Sequence, residues 1–165
     1  MQNLEIERKF LVTDAGCLEQ ALTHYDIIQG YVCREPGKTV RLRLRTDADG
    51  SQKAFLTFKH KIASFTRFEW EREITVDDFH ALLPMCGNRF IDKTRYILPA
   101  ESLANGQQPT ADSHLKWEID VFRHPNAGLI LAEIELPDEQ TPFVKPAFLG
   151  EEVTNDPRYY NANML

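Results

Sequence analysis

The chain lacks any apolar run near the roughly 18 residues that a membrane-spanning helix needs. Acidic Glu5 and Glu7 stand where a signal peptide would be basic and then apolar, so a cytoplasmic protein without membrane association is expected. Cysteine is scarce: Cys17, Cys33 and Cys86 are odd in number and far apart, which argues against a disulfide framework and against a paired-cysteine metal site. Basic residues give no excess; the net charge is −6, so a face that grips a phosphate backbone, and hence nucleic acid as a partner, is not expected. No glycine-rich phosphate loop and no serine or cysteine nucleophile motif is present, and the five histidines are scattered. No repeat, linker or low-complexity tract divides the 165 residues, so one domain spanning 1–165 is expected.

What the sequence does contain is alternation with a period of two. It runs through residues 5–10, 27–34, 40–45, 54–61, 66–74, 92–98, 115–122 and 129–136. Pro36-Gly37, Asp47-Ala48-Asp49-Gly50 and His124-Pro125-Asn126 punctuate these segments with turn chemistry, favouring antiparallel neighbours. Short helices are expected over Asp14–His24, where Leu18, Ala21 and Leu22 stand at helical spacing, and from Asp77 to about Leu83, with one or two more after Pro137. Residues 99–113 read as a polar loop.

Sorting each strand by face separates the chemistry. One face carries Glu5, Glu7 and Lys9, Arg41, Arg43 and Arg45, Lys59 and Lys61, Arg67, Glu69, Glu71 and Glu73, Lys93 and Arg95, Glu118 and Asp120, and Glu133 and Glu135. The other carries Ile6, Phe10, Leu42, Leu44, Leu56, Phe58, Phe68, Trp70, Trp117, Ile119, Ile134 and other apolar residues. On an open sheet the charged face would simply meet water. Eight antiparallel strands also close readily into a barrel, and then the charged face lines the bore while the apolar face packs outward against helices. Crowded ions are costly unless a ligand compensates them. Carboxylates two apart, Glu5 with Glu7 and Glu133 with Glu135, present hard oxygens suited to Mg2+ or Mn2+. The row Arg41, Arg43, Arg45, with Lys59, Lys93 and Arg95, suits phosphate oxygens.

With these residues the chain resembles the CYTH superfamily, the triphosphate tunnel metalloenzymes. The family hallmark ExExK stands here as Glu5-Ile6-Glu7-Arg8-Lys9. The resemblance continues through QGY at 29–31, RLRLR at 41–45, LTFK at 56–59, RFEWE at 67–71, KTR at 93–95, WEIDVF at 117–122, LAEIEL at 131–136 and the ending EEVTNDPRYYNANML. It implies an α+β, mainly β fold: an eight-stranded antiparallel closed barrel with a charged interior and short helices outside. It also implies metal-dependent hydrolysis of a linear triphosphate, foremost inorganic tripolyphosphate to diphosphate and phosphate, and often a homodimer. Carried over by position, Glu5, Glu7, Glu133 and Glu135, with Glu118 and Asp120, are the implied metal ligands. Lys9, Arg41, Arg43, Lys59, Lys93 and Arg95 are the implied triphosphate clamp. Glu5, Glu7, Lys9, Glu133 and Glu135 form the implied catalytic set, while Glu69, Glu71 and Tyr31 stay open between site and packing roles. Thiamine or nucleoside triphosphate hydrolysis, adenylate cyclisation and non-catalytic sensing are the alternatives. The cyclase branch carries a His-Phe element upstream of ExExK, where only Met1 to Leu4 stand here. The C-terminal segment is a candidate cap for one mouth of the tunnel.

Overall fold

A computed structural model describes residues 4–64, 66–100 and 115–165. Its strands are β1 (Leu4–Val12), β2 (Thr23–Glu35), β3 (Lys38–Asp47), β4 (Gln52–Lys61), β5 (Thr66–Ile74), β6 (Phe90–Pro99), β7 (Lys116–His124), β8 (Ile130–Glu135) and β9 (Leu149–Glu152). All pair antiparallel in the order β5-β4-β3-β2-β6-β7-β8-β1-β9. The expected closure is present: Leu4, Glu5 and Ile6 of β1 pair with Phe68, Arg67 and Thr66 of β5, so β1 to β8 form a barrel without a free edge. The expected polar loop lies, over 101–113, outside the described residues. Among the described residues no helix is long and apolar enough to cross a membrane.

Two local expectations change. The helix expected over Asp14–His24 is a six-residue 3-10 turn, Ala15–Gln20, capped by Asp14, which accepts from the Gly16 N–H at 2.8 Å. Leu22, counted in its apolar stripe, is 72% exposed, and its N–H donates to the Ile97 carbonyl, so Thr23 and His24 already belong to β2. Strand pairing outcompetes a helix with little to bury. The helix expected near Asp77 is present as α1 (Val76–Leu82), capped by the Thr75 hydroxyl, and Pro84 sits in a 3-10 turn, Leu83–Cys86, that follows it. The second change is β9, not expected from the sequence because LGEE has neither apolar alternation nor length. After it come only short 3-10 turns, Pro157–Tyr159 and Asn161–Asn163.

The apolar face packs outside the barrel, as expected, but unevenly. Over β1, β7 and β8, Phe10, Trp117, Ile119 and Ile134 are covered by Phe143 and Phe148, with edge-on aromatic contacts between Phe10, Trp117 and Phe143. Over β3 and β4, Leu42, Leu44 and Ala54 are covered by Phe79 of α1 and by Cys86. Gly30 lets this layer approach, since a Cβ there would lie 2.9 Å from the Cys86 sulfur. Among the described residues no helix covers the outer face of β4 and β5 at Phe58 and Phe68, which are 42% and 39% exposed.

Burial therefore ranks the exterior positions. Ile134→Ala, at a fully buried site, is expected to cost about 2–5 kcal/mol in denaturant unfolding, and Phe58→Ala below about 1 kcal/mol.

Candidate active site

The bore holds a cavity of about 520 Å³. Strand alternation aims Glu5, Glu7, Lys9, Arg41, Arg43, Lys59, Arg67, Glu69, Glu71, Arg95, Glu118, Glu133 and Glu135 at it. One end lies where β2 meets β3; there Arg34 to Thr39 and the turn residues Pro157 and Tyr160 to Asn163 complete the wall. Lys9 donates to the Tyr159 carbonyl at 3.1 Å, Arg34 donates to the Ala162 carbonyl at 3.2 Å, and the Arg67 guanidinium lies 5.0 Å from the Tyr160 ring. Beside these ties an apolar cluster fills part of the bore: Tyr31, Ile91, Phe122 and Leu131, with Val153 and Leu11. These strand residues share a side with the charges, as the pairings Lys93↔Phe122, Gln29↔Ile91 and Leu11↔Leu131 require. At the other end Tyr25, Arg45 and Phe55 stand at the rim, with Glu118 and Glu135.

Each base on one side of the bore is held from behind. Arg41 donates to the Thr57 hydroxyl at 3.1 Å and to Glu71 at 3.2 Å, and the Thr57 hydroxyl donates to Glu71 at 2.7 Å. Burial alone would raise the Glu71 carboxyl, but the Thr57 hydrogen bond and the charges of Arg41 and Arg43 hold it below the usual range. The Arg41 Nε is buried and has no hydrogen-bond acceptor among the described residues. Arg43 donates to the Gln29 side-chain Oε1 at 3.2 Å, and the Gln29 side-chain Nε2 donates to the Tyr31 hydroxyl at 3.0 Å. Among the described residues no carboxylate forms an ion pair with Arg43. Desolvation, with repulsion from Arg41 and Arg95, pushes its guanidinium down to about 10. This lobe carries positive charge that the barrel does not neutralise.

The opposite side has the reverse imbalance. Burial, then Glu133 and Glu5, push the Glu7 carboxyl up, although Arg67 lies 3.6 Å away. Glu135 faces Glu7 across the β1–β8 ladder; desolvation, then Glu5, Glu118 and Glu69, push its carboxyl up to about 7. Other acids are compensated: Glu5 accepts from Lys59 at 2.6 and 2.8 Å, Glu69 lies 2.7 Å from Lys59, and Glu133 lies 3.1 Å from both Lys9 and Arg95. Among the described residues no three carboxylate, histidine or cysteine side chains converge to hold an ion as they stand. The surplus negative charge and hard oxygens at Glu7 and Glu135 nevertheless suit a divalent cation, which would relieve their repulsion.

The structure gathers most of the residues singled out by sequence but not all in the same setting. Lys93 and Asp120 lie behind the wall with no side-chain exposure and pair with each other; burial pushes the Lys93 ammonium down to about 8. The Arg45 guanidinium carbon lies over the Tyr25 ring, 3.8 Å from its centroid, and Arg45 pairs with Asp47 at 2.5 Å, so its charge is already engaged at the rim. Glu69 and Glu71 both hold bases. Sequence reasoning missed Thr57 and Gln29, each fully buried; the only signal was a polar residue facing inward beside charge across the ladder, Thr57 between Arg41 and Glu71 and Gln29 opposite Arg43.

A closed antiparallel barrel whose bore separates a basic lobe from an acidic one defines a tunnel protein for a polyanion with its cation. No protein-family model matches the chain. The inorganic triphosphatase of Acetivibrio thermocellus is 37% identical over 163 residues, covering 98% of this chain and 92% of that protein. The inorganic triphosphatase of Nitrosomonas europaea is 36% identical over 159 residues, covering 95% and 93%. A crystal structure of an inorganic triphosphatase superposes with a TM-score of 0.59 at 32% identity, covering 97% of this chain and 96% of that one. The chain belongs to the CYTH superfamily, the triphosphate tunnel metalloenzymes.

The Thr57 bridge can be tested apart from any reaction. Thr57→Val is expected to cost about 1–3 kcal/mol in chemical denaturation, because it leaves buried groups of Arg41 and Glu71 short of a partner. A carboxyl held low in the fold stabilises it above the unfolded Glu range, near 4.5, and that gain is lost as pH falls through the folded value. The variant is thus expected to lose less stability than the native chain when both are titrated from pH 6 to pH 3.

Proposed function

We propose that this chain is a divalent-metal-dependent triphosphatase that hydrolyses inorganic tripolyphosphate to diphosphate and phosphate inside the barrel. The observation that carries the reading is Arg43: a guanidinium facing the cavity, held by the neutral Gln29, with no carboxylate paired to it among the described residues and with Arg41 and Arg95 beside it. Such a lobe is unfavourable until an anion enters, so it is preorganised for one. The small bore, with the 157–163 turns and an apolar cluster at one end, favours a compact linear anion over a bulky one. The two curated relatives are themselves inorganic triphosphatases.

Lys9, Arg41, Arg43, Lys59 and Arg95 would grip the phosphate oxygens and spread the charge of the transferring group. Glu5, Glu7, Glu133 and Glu135, with Glu118 at the rim, would hold Mg2+ or Mn2+. When bound, the metal supplies Lewis-acid charge and a more acidic bound water. In the reaction a water oxygen bonds to the terminal phosphorus, the bond to the bridging oxygen breaks, diphosphate leaves and a proton is released. Carboxylates two residues apart serve this chemistry better than an anion receptor, which would gain affinity by losing them.

Phosphate release from tripolyphosphate tests the proposal. Release is expected with Mg2+ or Mn2+ and not with a chelator. Arg43→Gln is expected to weaken tripolyphosphate binding at least tenfold, and Glu135→Gln to abolish metal-dependent turnover without loss of the folded state. Tight tripolyphosphate binding with no release under either metal would favour a sensor instead.

A further inference from the structure

The ending EEVTNDPRYYNANML has no part in the proposed reaction, yet it reaches the bore at Lys9. β1 pairs with β5 through Ile6 and with β9 from Phe10 onward, so Lys9 falls in the gap between them. Its register partner on β8 is Glu133, and its backbone groups turn the other way, into that gap. Val153 and Thr154 fill it. The Val153 N–H donates to the Lys9 carbonyl at 2.8 Å, and the Lys9 N–H donates to the buried Thr154 hydroxyl at 3.0 Å. The hydroxyl sends its own proton to Glu152 at 2.7 Å, which leaves it an acceptor for Lys9. Two turns then carry the chain over the bore: the Asp156 N–H donates to the Val153 carbonyl at 3.0 Å, and the Asp156 side chain caps the 3-10 turn that begins at Pro157. That turn delivers the Tyr159 carbonyl to the Lys9 ammonium at 3.1 Å. Beyond it Arg34 donates to the Ala162 and Leu165 carbonyls at 3.2 and 2.7 Å, and Tyr159, Ala162 and Met164 pack on the apolar cluster in the bore, so the turn is fastened at both ends.

We infer that residues 153–159 position Lys9 for the triphosphate, the Thr154 hydroxyl fixing its strand and the Tyr159 carbonyl fixing its ammonium. The inference rests on the proposed function, under which Lys9 meets a phosphate oxygen. An ammonium has three donors. One goes to the Tyr159 carbonyl and Glu133 lies 3.1 Å away, which leaves a donor for the cavity that Lys9 borders. A lysine stem is flexible, so an ammonium fixed beforehand loses less freedom when the anion arrives. A neutral carbonyl fixes it without bringing another carboxylate toward the incoming phosphate. Neither Thr154 nor Tyr159 borders the cavity, so both are positioning residues that act through Lys9.

The test compares Thr154→Val, Thr154→Ser, Lys9→Met and the Thr154→Val, Lys9→Met double variant with the native chain. Tripolyphosphate affinity is read by calorimetry without metal, and the slowly exchanging lysine ammonium protons by NMR of the ligand-free chain. Lys9→Met is expected to weaken tripolyphosphate binding about tenfold or more, and Thr154→Val about fivefold or more. Thr154→Ser keeps the hydroxyl and is expected to stay within about twofold of native. In the Lys9→Met background Thr154→Val is expected to cost less than about twofold, because its effect passes through the ammonium. An equal loss there, as from a merely structural change, would overturn the inference, as would native affinity in Thr154→Val or in Lys9→Met. If Thr154→Val does not fold, Asp156→Ala, which uncaps the turn and does not border the cavity, is read by the same comparison, with a loss of about threefold or more expected. The Lys9 ammonium signal, identified by its absence from Lys9→Met, is expected in the native chain and in Thr154→Ser and broadened away in Thr154→Val. A signal absent from the native chain, or unchanged in Thr154→Val, would also overturn the inference. A native chain that releases no phosphate with either metal would overturn the proposed function, while the ammonium signal would still judge the hold on Lys9.

Discussion

Closure of the sheet is the constraint on which the rest depends. Pairing of β1 with β5 at Leu4 to Ile6 converts what would be a charged, water-facing sheet surface into a bore. On an open sheet the same side chains would be screened and nearly free of mutual cost. In the bore they are desolvated together, and each must find a partner, shift its proton affinity or await a ligand. The structure shows all three outcomes: Glu5 pairs with Lys59, Glu135 is pushed up to about 7, and Arg43 faces the cavity with no carboxylate paired to it among the described residues.

The residual imbalance is spatially organised. The basic surplus at Arg41 and Arg43 and the acidic surplus at Glu7 and Glu135 lie on different strands of one wall system. They are joined by the network of Lys9, Glu133, Arg95 and Asp120. A triphosphate with its cation complements such a division, and a neutral or apolar ligand does not. Neutral groups do much of the holding, since Thr57 and Gln29 fix Arg41 and Arg43 without cancelling their charge. Placing uncancelled charge on rigid strands costs stability before binding and limits reorganisation during reaction.

Most of this was legible because a strand has a period of two: the alternation of Glu5, Ile6, Glu7, Arg8 and Lys9 already separates bore from exterior. Depth along the bore was not legible. Leu11, Ile91 and Leu131 occupy the same faces as the charges, yet lie toward the end where the turns of 157–163 pack. Phe122 follows Glu118 and Asp120 in the alternation of β7 and pairs with Lys93, so it stands on that side as well. Alternation also says nothing about how far a side chain stands from the cavity, so Lys93 and Lys59 look alike in sequence although one is sealed behind the wall. Helix spacing misled at Leu18, Ala21 and Leu22, where strand pairing to β6 outweighed a stripe with little to cover. The four residues of β9 carry no alternation from which a strand could have been read.

The most direct test is a crystal structure of the chain with Mn2+ and tripolyphosphate, phased well enough to locate phosphorus and manganese by anomalous scattering. The account predicts phosphorus density within the barrel, bordered by Arg41 and Arg43, with manganese against Glu7 and Glu135. Phosphorus and manganese bound only outside the barrel, with the bore side chains unmoved, would contradict it.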